Sequence, residues 1–113
     1  MSGDHELILR RTVIADERRD DDFTVYWDEI SIGRIVRQPG IPAHHPDWAW
    51  SLIFEGTPQQ AWMRGLAPDL DEAKQRFKLA WSAVRPTLTD DDIAGARQAE
   101  IYHAQQRARR SRR

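Results

Sequence analysis

The clearest alternation of apolar and polar positions lies at Asp47-Trp48-Ala49-Trp50-Ser51-Leu52-Ile53-Phe54-Glu55. Side chains of a strand point alternately to its two faces, so Trp48, Trp50, Leu52 and Phe54 share one side. Four large apolar groups on one face of one strand need a cover. That cover is predicted downstream, where Leu70, Ala73, Phe77, Ala80, Trp81 and Val84 recur at helical spacing and form one stripe. Asp69 caps this helix, Asp71 and Glu72 suit its positive end, and Arg85-Pro86 stops it.

Upstream, Phe23, Val25 and Trp27 alternate along residues 23–28, and residues 32–38 form the next extended run. The few residues around Glu29 to Ser31 suit an antiparallel hairpin between the two. Gly33, inside the second strand, marks a place where a bulky neighbour approaches, and Trp27 across the hairpin is the expected neighbour. Residues 39–46, with three prolines and a glycine, form a loop before the central strand. Thr57-Pro58-Gln59-Gln60 has the form of a capping box. Either one helical turn carrying Trp62 and ending at Gly65 follows it, or an irregular loop.

The expected architecture is α+β: a three-stranded antiparallel meander covered by one amphipathic helix, β-β-β-α, over residues 23–85. Phe77 and Trp81 are expected to pack on Trp48, Trp50, Phe23 and Trp27. Residues 1–22 read as a flexible N-terminal segment. Within it, apolar and β-branched residues 7–14 suggest a strand with no assigned place in the sheet, and the seven charges from Asp16 to Asp22 suggest a solvated linker. Residues 86–113 hold a second helix, started by Thr89-Asp90-Asp91-Asp92, followed by an Arg-rich tail. Its apolar content is thin, so loose docking is expected.

Composition adds less. A chain of 113 residues has room for one domain and tails, and five Trp supply much of its core. With no Cys, disulfides and thiolate zinc sites are excluded. The start, Met1 to Glu6, lacks the basic and apolar regions of a signal peptide, and no run approaches the roughly 20 apolar residues of a membrane span. A soluble, cytoplasmic protein is expected. The net charge of −1 conceals an asymmetry: residues 97–113 carry six Arg and one acid, a net of +5, against −6 for residues 1–96.

Candidate chemistry is sparse. His44-His45-x-Asp47 has histidines side by side, which point apart in extended chain and do not face one ion, so no metal or other cofactor is expected. No phosphate loop, nucleophile elbow or paired catalytic carboxylate is present, and the protein is expected not to be an enzyme. Trp62 and Arg64 stand in a loop and are candidate partner contacts, although Trp62 could equally plug the core edge. Arg107, Arg109, Arg110, Arg112 and Arg113 are candidate nucleic-acid contacts, since guanidinium forks match phosphates.

Gly33-Arg34-Ile35, Trp48-Ala49-Trp50-Ser51-Leu52 and Leu70-Asp71-Glu72-Ala73-Lys74 together resemble the pattern of a group of short, uncharacterised bacterial proteins over residues 23–84. That resemblance implies the β-β-β-α core and brings no activity. The element order is also similar to the last four elements of the double-stranded-RNA-binding domain. This chain departs from that family where Asp69, Asp71 and Glu72 stand at the helix start that is basic there, and no RNA-contacting residue carries over. The function expected is a non-enzymatic protein-interaction domain, binding an unknown partner or itself; the alternative is a nucleic-acid-associated protein using its arginine tail.

Overall fold

The computed structural model describes residues 6–14, 17–38, 40 and 46–111. It is α+β, as expected, but the sheet has five strands where three were predicted. β1 (Leu7–Ile14), β2 (Glu17–Trp27), β3 (Ile30–Arg37), β4 (Trp48–Leu52) and β5 (Arg64–Ala67) form an antiparallel meander in chain order. Two helices follow, α1 (Leu70–Val84) and α2 (Asp90–Ser111).

The N-terminal residues are the first correction. Residues 7–14 pair with β2 along most of their length, and the charged residues 17–22 extend β2 itself, so this part is not a linker. A charged run can be a strand when partners of opposite sign lie on its neighbours. Asp22 is buried and accepts from Nε of Arg34 on β3 at 2.8 Å and from the Thr12 hydroxyl on β1 at 2.9 Å. The bond from Arg34 holds its guanidinium pKa above the ordinary arginine value. Arg11 of β1 faces Asp20 at 3.6 Å.

β2 and β3 turn through Asp28 and Glu29, whose φ of 49° and 64° lie in the left-handed region. Two-residue hairpins demand this backbone to match strand twist, and it is costly for residues with a Cβ. Arginines from two other elements hold the turn. Arg10 of β1 donates from Nη2 to both Glu29 carboxylate oxygens at 3.1 and 2.9 Å. Arg97 of α2 donates to the Asp28 carbonyl at 3.0 Å and to its carboxylate at 2.7 Å.

The central strand behaves as its pattern predicts: Trp50, Leu52 and Phe54 are buried, and Trp48 packs partly against the core. α1 lies over this face and buries Ala73, Phe77, Ala80, Trp81 and Val84. Asp69 caps it by accepting from the Glu72 amide at 2.8 Å. Trp81 stacks obliquely between Trp27 and Phe54, at centroid distances of 5.4 and 5.9 Å, and Phe77 meets Trp50 edge-on at 6.4 Å. Phe23 lies farther out, beside Leu9 and Val13, rather than under α1. Gly33 does have a bulky neighbour, but it is Phe77 rather than Trp27: Gly33 pairs with Val25 and Leu52, and the Phe77 ring lies over it.

α2 starts with reciprocal bonds between Thr89 and Asp92, at 2.8 and 3.1 Å. Its first three turns dock more firmly than expected. Ala96 is buried, Ile93 packs on the core, and Glu100 accepts from the Ser31 amide and hydroxyl at 3.1 and 2.9 Å. Polar bonds replace the missing large apolar groups. From Ile101 to Gln105 the helix is exposed.

The sheet ends in β1 on one side and β5 on the other. β5 has four residues, and Arg76 of α1 donates to its Leu66 carbonyl at 2.6 Å.

Candidate binding surfaces

Gly56, at φ 81°, turns the chain after Phe54, whose carbonyl accepts from the Thr57 amide at 2.9 Å. Gln59 then reaches back to the Leu52 carbonyl at 2.9 Å. The helical turn carrying Trp62 does form, but Gln60 rather than Thr57 is its cap, and residues 57–59 run irregularly before it. It is a 3-10 turn, Ala61–Met63, and leads into β5, a strand not expected from the sequence.

This turn decides where Trp62 goes. Met63 is 1% exposed and anchors the turn in the core, which leaves Trp62 facing outward at 49% exposure. Its indole N–H donates to Gln60 Oε1 at 3.2 Å, which favours one orientation of the ring. Arg64 is exposed at the start of β5, and Leu66 is exposed two residues on, toward the same face of the strand. Arg64, Leu66 and Gln59 border a shallow depression with Ala49 and Ser51 of β4. The candidate contacts Trp62 and Arg64 thus occupy one corner of the molecule.

The basic candidates lie apart from that corner. Arg107, Arg109 and Arg110 belong to the last turns of α2, which stays helical to Ser111. They are exposed there, and the negative end of a helix favours cations. Arg112 and Arg113 lie outside the described residues, as do His44 and His45. Asp47, the remaining member of that motif, is buried and accepts from Arg37 Nε at 2.9 Å, while its carbonyl accepts from the Gln38 amide at 2.7 Å. Its role is to close the base of the loop between β3 and β4, and its bond keeps the Arg37 pKa above the ordinary value. Among the described residues no three His, Cys, Asp or Glu side chains are placed to hold a metal ion. Nor is any described helix long and apolar enough to cross a membrane.

A further surface was missed from the sequence. Lys74, Lys78 and Ser82 fall between the buried positions of α1 and carry no pattern of their own. They are exposed, and they edge a groove between α1 and β1. Their spacing of four residues places them on one flank of the helix, and only the unforeseen place of β1 in the sheet turns that flank into a wall.

No family model matches this chain, and neither a curated protein nor a solved structure matches it.

Proposed function

We propose that the chain is a non-enzymatic protein-interaction domain of a soluble, cytoplasmic bacterial protein, and that Trp62 and Arg64 form the centre of its contact surface. The observation that supports this function is the half-exposed Trp62, carried on a turn whose next residue is locked in the core. Tryptophan and arginine are over-represented among the residues that dominate binding energy, and an aromatic held in place loses little freedom on association. The resemblance of residues 23–84 to short bacterial proteins is in keeping with such a module and adds no chemistry to it.

The test is affinity capture with full-length wild type and Trp62→Ala/Arg64→Glu as parallel baits, read by quantitative mass spectrometry. Both positions are exposed, so equal melting temperatures are expected. Truncating a central anchor costs about 2 kcal/mol or more, roughly thirtyfold in affinity. Proteins, or further copies of this chain, retained by wild type and lost with the variant are the expected result. Identical recoveries with both baits would refute this contact surface.

The exposed arginines on a continuous helix favour a second function, attachment to nucleic acid. Three to five phosphate contacts predict a slope of log K against log salt of about −3 to −5 for duplex DNA. A chain ending at Gln106 should lose that binding, and salt-independent or absent binding by the full chain would exclude it.

A further inference from the structure

Five strands spaced about 4.8 Å apart make a sheet some 24 Å wide, whereas a helix with its side chains is about 10 Å across. One helix cannot cover such a sheet. α1 packs chiefly on β4, with β3 and β5 beside it, and a groove of about 390 Å³ is left between α1 and β1. Leu7, Leu9, Val25 and Ile35 line it from the sheet, and Phe77 and Trp81 from the helix. Its polar groups are few. Lys74 and Lys78 stand one helical turn apart on one rim with Ser82 beyond them, and Glu6 stands at the strand side. Neither lysine has an acidic partner among the described residues.

We propose that this groove binds a free fatty acid, with the acyl chain on the apolar floor and the carboxylate between Lys74 and Lys78. An apolar cleft of a few hundred Å³ with a few convergent polar groups is the usual form of a small-molecule site. The two lysines supply the complement to one negative charge, while Glu6 repels a carboxylate from the opposite rim and so sets the ligand's direction. A peptide fits worse. An extended one would face most of its amides to apolar walls, since only Glu6, Lys74, Lys78 and Ser82 at the rims offer hydrogen bonds. The C-terminal helix of a second copy would bring arginines to the lysine rim. An acyl chain needs no hydrogen bonds and adapts to an open trough.

The probe is monomeric dodecanoate, titrated calorimetrically into the full chain, with thermal shift as a second readout. One saturable site is expected. Shortening the tail weakens binding by about fourfold per methylene fully withdrawn from water, so octanoate should bind more than tenfold more weakly. Dodecanol, which lacks the charge, and the variant Lys74→Gln/Lys78→Gln should each lose about five- to tenfold. Both lysines are exposed, so the variant keeps the fold. Absence of saturable binding by wild type would overturn the proposal. So would equal affinity for dodecanol, or an unchanged affinity in the double variant. Vesicles of phosphatidylglycerol separate the free acid from a membrane surface: binding to vesicles without binding of dodecanoate also overturns it.

Discussion

Gly33→Ala adds a single methyl group, and the structure leaves no room for it. A Cβ at Gly33 would lie 2.5 and 2.7 Å from two ring carbons of Phe77 and would also collide with the Ser51 carbonyl oxygen. Carbon atoms rest about 3.5–4.0 Å apart, so the ring would have to retreat by about 1 Å. Phe77 is 1% exposed and already meets Trp50 edge-on, so a retreat of the ring breaks core contacts or pushes it into the groove beside β1. The Ser51 carbonyl is fixed by its place in β4, which pairs with strands on both sides. Overpacking of a filled core costs about 1–3 kcal/mol, and a backbone atom among the clashes puts this case near 3. That is a large share of the roughly 5–15 kcal/mol that holds a domain together. At about 4 °C per kcal/mol the melting temperature should fall by about 12 °C. Urea unfolding followed by tryptophan fluorescence measures the same loss as a lower midpoint at unchanged slope. In a Phe77→Leu background the ring contact is gone, and Gly33→Ala should cost at least about 1 kcal/mol less, as expected for residues in contact. A loss under about 0.5 kcal/mol in wild type, or strict additivity in the double variant, would show that Phe77 does not press on Gly33.

Two further perturbations test the polar side of the fold. Arg34→Ala takes a guanidinium away from the buried Asp22 carboxylate, whereas Asp22→Ala leaves a half-exposed arginine that water can solvate. Urea titrations should therefore show the arginine variant less stable by about 1 kcal/mol or more, and the reverse order would contradict the burial of Asp22. Glu29→Gly removes a left-handed non-glycine residue at a cost of about 1–2 kcal/mol in the native turn, against an exposed ion pair with Arg10 worth about 0–1. Thermal unfolding should show the variant equal to wild type or more stable by up to about 1 kcal/mol; a clear loss would mean that Arg10 contributes more than an exposed pair.

Much of the core was legible because its signals are local. The stripe of α1, its Asp69 cap and the alternation of Trp48 to Phe54 each occupy one uninterrupted stretch, and each folds as its pattern implies. What was illegible depends on partners distant in sequence. The charged half of β2 resembles a linker until Arg34 and Thr12 are placed beside Asp22. β5 has four residues, one of them glycine, too short for any period to show. Gly65 is tolerated there because the Trp50 indole fills the space that a side chain would take, at 3.1–3.3 Å from a Cβ position. The outward direction of Trp62 follows from the burial of Met63, and a one-dimensional pattern does not rank those two neighbours. The groove beside Lys74 and Lys78 has no sequence signature at all, since it is formed by the width of a sheet that one helix cannot span.

The unequal edges of that sheet bear on how copies of the chain could add to one another. Growth from head to tail would join β5 of one molecule to β1 of the next, a contact that repeats without closing and builds a fibre. Such a joint would be four residues long, at an edge where Arg76 already occupies one carbonyl. Pairing of β1 with a second β1 about a two-fold axis has eight residues to use and is antiparallel by symmetry. It is complete at two molecules. Were copies to join edge to edge, the longer β1 edge would favour a finite pair over an open filament.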